Sequence, residues 1–92
     1  MSTVTINLNF VATTPTGEPY QYNYPVGQWL AEQLEKRVST DNPALEAYTA
    51  AKLRDNNWVI TLPIDEALYI KGVVVTLDVD NLYKGQILTK FP

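Results

Sequence analysis

The stretch TVTINLNFVATTPTGEPYQYNY, residues 3–24, decides how the fold is read. From Thr3 to Val11, Val4, Ile6, Leu8 and Phe10 alternate with Thr3, Thr5, Asn7 and Asn9, the two-residue period of a strand with one buried face. Thr13-Thr14-Pro15-Thr16-Gly17-Glu18-Pro19 then gathers turn formers, after which Tyr20, Tyr22 and Tyr24 alternate with Gln21 and Asn23. The pattern predicts an N-terminal β-hairpin with a long loop.

Outward from the hairpin the period changes. Pro25 ends the second strand, and Val26, Trp29, Leu30, Leu34 and Val38 recur at three- and four-residue intervals, forming one apolar stripe on a helix. Asn42-Pro43 reads as an N-cap followed by proline at the first helical position, where a missing N–H costs nothing. That second helix carries Ala44, Leu45, Ala47, Tyr48, Ala51 and Leu53 and stops at Asp55-Asn56-Asn57, since asparagine tolerates the left-handed turn. Trp58, Ile60 and Leu62 alternate as a third strand ended by Pro63. Residues 64–70 fit either a helical turn or a strand. Val73 to Val79, apolar on both faces, reads as a central strand, and Gln86 to Phe91 as the last.

The expected fold is therefore α+β in a single domain over residues 1–92. A hairpin, two helices and two to three further strands would form a four- to five-stranded antiparallel or mixed sheet with the helices on one face. This order resembles that of β-grasp, ubiquitin-like domains, as an analogy of element order alone: two helices stand where one is expected, and no motif supports kinship. Lys-Gly precedes an apolar run at both Lys71-Gly72 and Lys84-Gly85, which reads as two similar turns rather than a repeat.

Composition restricts function more than any motif does. The chain has no cysteine and no histidine, which removes thiolate nucleophiles, disulfides, zinc–thiolate sites and the side chain that titrates near neutral pH. Its two serines, Ser2 and Ser39, have no histidine partner, and Gly17, Gly27, Gly72 and Gly85 are too scattered to cradle a phosphate. Net charge is −3 and no Lys or Arg precedes Lys36, which argues against nucleic acid and anionic lipid as partners. With neither a membrane-length apolar run nor a signal peptide, the expected compartment is the cytoplasm. No residue decides between a viral and a bacterial source.

Two constellations remain. Asp78 and Asp80, two apart, would share one face of a strand and offer oxygens to a cation, but no calcium-loop glycine and glutamate follow, so they read as solvated acids at a strand end and no metal site is assigned. Asp65 and Glu66 are adjacent and point apart, which disfavours an acid–base pair. Tyr20, Tyr22 and Tyr24 are the candidate binding residues, either as a surface for a partner protein or a second copy, or as core packing over Trp29 and Leu30. The expected function is a non-enzymatic protein-interaction module, without catalytic residues or cofactor, that binds a partner protein or itself through this aromatic strand. The alternative is a small-ligand binder for a metabolite or nucleotide, its pocket lined by the tyrosines.

Overall fold

The computed structural model describes residues 2–20, 22–37 and 40–92. The order is β1 (Thr3–Asn7), α1 (Val26–Lys36), α2 (Pro43–Asp55), β2 (Val59–Pro63), α3 (Ile64–Thr76) and α4 (Asn81–Leu88). The class is α+β, but among the described residues four helices accompany a two-stranded antiparallel sheet, which overturns the expected four- to five-stranded one. Gln21 and Val38, assigned above to a strand and a helical stripe, and Ser39 lie outside the described residues.

β1 finds its partner 56 residues away rather than in a hairpin. Val4 stands opposite Leu62 and Ile6 opposite Ile60, so the apolar sides of both strands share the core face. On the other face the Thr5 and Thr61 hydroxyls meet at 2.9 Å. The 13–19 segment does turn, with an isolated antiparallel bridge joining Thr13 to Pro19. Tyr20, Tyr22 and Tyr24 then run irregularly, half-buried, because aromatic side chains found packing partners on helices rather than a neighbouring strand.

Past β1 the chain still alternates inward, burying Leu8, and its carbonyls do the work of a helix cap. Leu8 N–H donates to the Trp58 carbonyl at 2.8 Å, while the Leu8 and Phe10 carbonyls each accept at 2.9 Å from Gly27 and Val26 at the start of α1. Pro25 offers no side-chain cap, so these backbone bonds satisfy two of the first-turn donors. α1 buries Val26, Trp29, Leu30 and Leu34, the stripe read from the sequence.

α2 begins as expected: the Asn42 side chain accepts from Leu45 N–H at 3.1 Å, and Pro43 follows. Asn42→Ala is expected to lower stability by about 1 kcal/mol, and an unchanged urea midpoint would remove that role. The helix closes in a Schellman-type turn, with Trp58 N–H donating to the Leu53 carbonyl at 2.8 Å and Asn57 left-handed at φ 53°. Trp58 follows at φ 65°, a conformation a bulky side chain adopts only when its surroundings impose it.

Two further assignments are corrected. Residues 73–79 are not a central strand: Val73 to Thr76 complete α3, whose Ala67, Ile70, Val73 and Val74 fall on one buried face. β-branched residues favour strands only weakly, and here an acidic first turn, Asp65-Glu66, and a continuous helical stripe outweigh that preference. Residues 86–91 are not a strand either: α4 runs to Leu88, and Tyr83, Ile87 and Phe91 are buried at four-residue spacing. Its cap is Asp80, whose side chain accepts from Leu82 N–H at 2.9 Å, so this acid ends no strand. One hydrophobic cluster runs through all six elements, including Ile6, Leu30, Leu53, Ile60, Val74 and Ile87. Among the described residues no helix is long and apolar enough to cross a membrane.

Candidate binding surfaces

The fold gathers the tyrosines around a residue the sequence reading passed over. Tyr83, fully buried on α4, has three aromatic neighbours in edge-on contact: Tyr20 at 5.4 Å, Tyr22 at 5.4 Å and Trp29 at 5.2 Å between ring centroids. Tyr24 extends the group through Tyr22, at 5.9 Å. Beside it a cavity of about 250 Å³ is lined by Tyr20, Tyr22, Tyr83, Asp78, Val79 and Asp80. The three candidate binding residues therefore belong to one aromatic cluster, two of them line the cavity, and both acids assigned to a strand end line it with them.

Two atoms of the lining tyrosines stand out. The hydroxyls of Tyr20 and Tyr83 are buried and have no hydrogen-bond partner among the described residues. A desolvated hydroxyl without a partner is costly, and native chains leave few of them. Burial, and then the Asp80 charge, raise the Tyr20 phenol above its ordinary value. Burial likewise raises Tyr83, helped by Tyr24, Tyr22 and Glu32, and burial followed by Glu32 raises Tyr24. All three phenols stay protonated at neutral pH, in a field made negative by Glu32 and Asp80. One Asp80 oxygen serves the α4 cap, and no Lys or Arg lines the cavity.

Larger grooves exist, and in one of them the charged walls are already paired. The one between α1 and α2, about 560 Å³, is bounded by a two-pronged Arg54–Glu35 ion pair, both bonds 2.8 Å, and by the Arg37–Glu46 pair. Glu46 is buried and accepts from Arg37 at 2.5 Å, from Tyr69 at 2.6 Å and from Thr40. Burial pushes this carboxyl up, yet the three donors outweigh it and hold the group below its usual value. A carboxylate so held is a poor proton acceptor near neutral pH; it pins α2 to α3 and to the segment before α2. Among the described residues no three acidic side chains converge as metal ligands would.

The second surface was invisible while α3 was read partly as strand. Ile64, Leu68 and Val75, exposed by 39%, 48% and 52%, fall with Gly72 on one side of α3, opposite the face that buries Ile70 and Val73. Scattered exposed apolar residues are ordinary, but an aligned stripe makes the helix apolar on both sides.

Comparisons with protein-family models, curated proteins and solved structures gave no match.

Proposed function

We propose that the chain is a non-enzymatic protein-interaction module that self-associates by laying α3 against α3 of a second copy. The observation that carries this reading is the uncovered stripe of Ile64, Leu68 and Val75 around Gly72. The stripe is self-complementary. An antiparallel pair about a two-fold axis at the helix middle sets Ile64 against the partner's Val75 and Leu68 against the partner's Gly72. Space exists there, since no atom lies within 4 Å of the position a Gly72 Cβ would take. The same pairing opposes the helix dipoles.

Light scattering on the eluting protein tests it. At about 1 mM, where even a pairing with Kd near 0.1 mM is largely formed, the mass should be twice the 10.4 kDa of one chain. Leu68→Asp should return the monomer with its helical circular dichroism intact, because Leu68 is half exposed and lies outside the hydrophobic core cluster. A wild-type monomer at that concentration overturns the proposal.

A second reading, small-ligand binding, is favoured by the tyrosine cavity and its two unpartnered hydroxyls. The two surfaces use different residues, so both properties can reside in one chain.

A further inference from the structure

We infer that the cavity between Tyr20, Tyr22, Tyr83, Asp78 and Asp80 binds a primary ammonium group carried on a short aliphatic chain. Three features converge on that ligand. Tyrosine faces and two carboxylates attract a cation, by ring quadrupole and by charge, and would repel a phosphate or carboxylate. The two buried phenol oxygens need hydrogen-bond partners, and a primary ammonium brings three N–H donors, whereas a quaternary ammonium brings none. The volume, about 250 Å³, lies below the roughly 300 Å³ at which drug-sized pockets begin, and it suits an alkylamine or a single side chain.

A metal ion fits less well. Calcium takes about six to eight oxygens, and the aromatic part of the wall supplies none beyond the tyrosine hydroxyls. A neutral alcohol satisfies one hydroxyl and leaves the carboxylates without a counter-charge. The chain's own nearest lysine is committed elsewhere: Lys84, next to Tyr83, donates to the Val75 carbonyl at 2.9 Å.

The same ammonium can reach the site from two sources, a free amine or a lysine side chain of another polypeptide. The test is an NMR titration following the ring protons of Tyr20, Tyr22 and Tyr83, made on the wild type and repeated on Leu68→Asp so that self-association plays no part. The probes are n-butylammonium, Nα-acetyl-lysine methylamide, tetramethylammonium and n-butanol. Saturable shifts with n-butylammonium, absent with tetramethylammonium and n-butanol, support the proposal. Comparable binding of the lysine amide identifies a polypeptide lysine as the source; binding of the free amine alone identifies a small amine.

Tyr83→Phe should weaken n-butylammonium binding about tenfold, the effect of one lost hydrogen bond to a charged group. This variant should fold, because the deleted hydroxyl has no partner to lose. Asp80→Asn should weaken it similarly and reduce its salt dependence while keeping the α4 cap, since asparagine caps as well as aspartate. Equal binding of tetramethylammonium or n-butanol, no saturation with n-butylammonium by about 10 mM, or unchanged affinity in Tyr83→Phe would each overturn the inference.

Discussion

Replacing Gly27 by alanine is expected to destabilise the protein by about 3 kcal/mol, at the upper end of what overpacking a close contact costs. Local propensity points the other way, because helices favour alanine over glycine. The contact decides the sign. A Cβ on Gly27 would lie 2.4 Å from the Trp58 Cβ and 3.1 Å from both the Leu8 Cβ and the Trp58 Cγ. None of these atoms is the free end of a flexible side chain. Gly27 N–H is bonded to the Leu8 carbonyl and Leu8 N–H to the Trp58 carbonyl, so two hydrogen bonds in series hold Gly27 and Trp58 against residue 8.

Trp58 is already held at φ 65°, which leaves it little room to yield. At roughly 4–8 °C per kcal/mol for a domain this size, the variant should melt at least about 12 °C below the wild type. A thermal scan in which Gly27→Ala matches or exceeds the wild type would mean that α1 does not pack this closely on residues 8 and 58.

Arg37→Met should cost about 3 kcal/mol at pH 7, the lower end for removing one partner of a buried ion pair, because Arg37 itself keeps 26% of its side chain exposed. The variant leaves the Glu46 carboxylate buried with only the Thr40 and Tyr69 hydroxyls as donors. Its pH dependence separates this from simple loss of packing. In the wild type the Glu46 carboxyl is held below its ordinary 4.5, so its contribution is present above about pH 4.5 and is lost as pH falls through the folded value. Without the guanidinium, burial dominates and the same carboxyl moves upward, so protonation relieves the variant rather than harming it. Urea unfolding of both proteins at pH 7 and near pH 4 should show the stability gap narrowing with acid. Parallel profiles would show that Glu46 is not the group Arg37 serves.

The elements that local pattern specifies were legible. Val4, Ile6 and Leu8 announce their buried face through strict alternation, the Val26 to Leu34 stripe appears at helical spacing, and Asn42-Pro43 and Asn57 mark the two ends of α2 through backbone preferences that need no tertiary partner. Failure came where one local pattern fits two structures. Tyr20, Tyr22 and Tyr24 alternate as a strand would, yet their rings serve an aromatic cluster completed by Tyr83, 59 to 63 residues further on. Val73-Val74-Val75-Thr76 has strand composition, but the helical stripe begun at Ala67 continues through it.

The candidate cavity was legible in its parts and not in its assembly. Alternation marks Tyr20 and Tyr22 for binding and two-residue spacing joins Asp78 to Asp80, but only the packing of α4 puts them around one space. Tyr83 gave a signal that was missed: Asp80 is a capping residue, and Tyr83, Ile87 and Phe91 follow at four-residue intervals.

The sequence by itself determined the chemistry this chain lacks and the local conformations of β1, α1 and α2, because composition and nearest-neighbour sterics act within a few residues. Tertiary structure alone decided that β1 pairs with β2, that Gly27 and no larger residue fits against Trp58, and that three tyrosines and two aspartates share a cavity. Those outcomes depend on which distant surfaces exclude water together, and no short window of sequence carries that information.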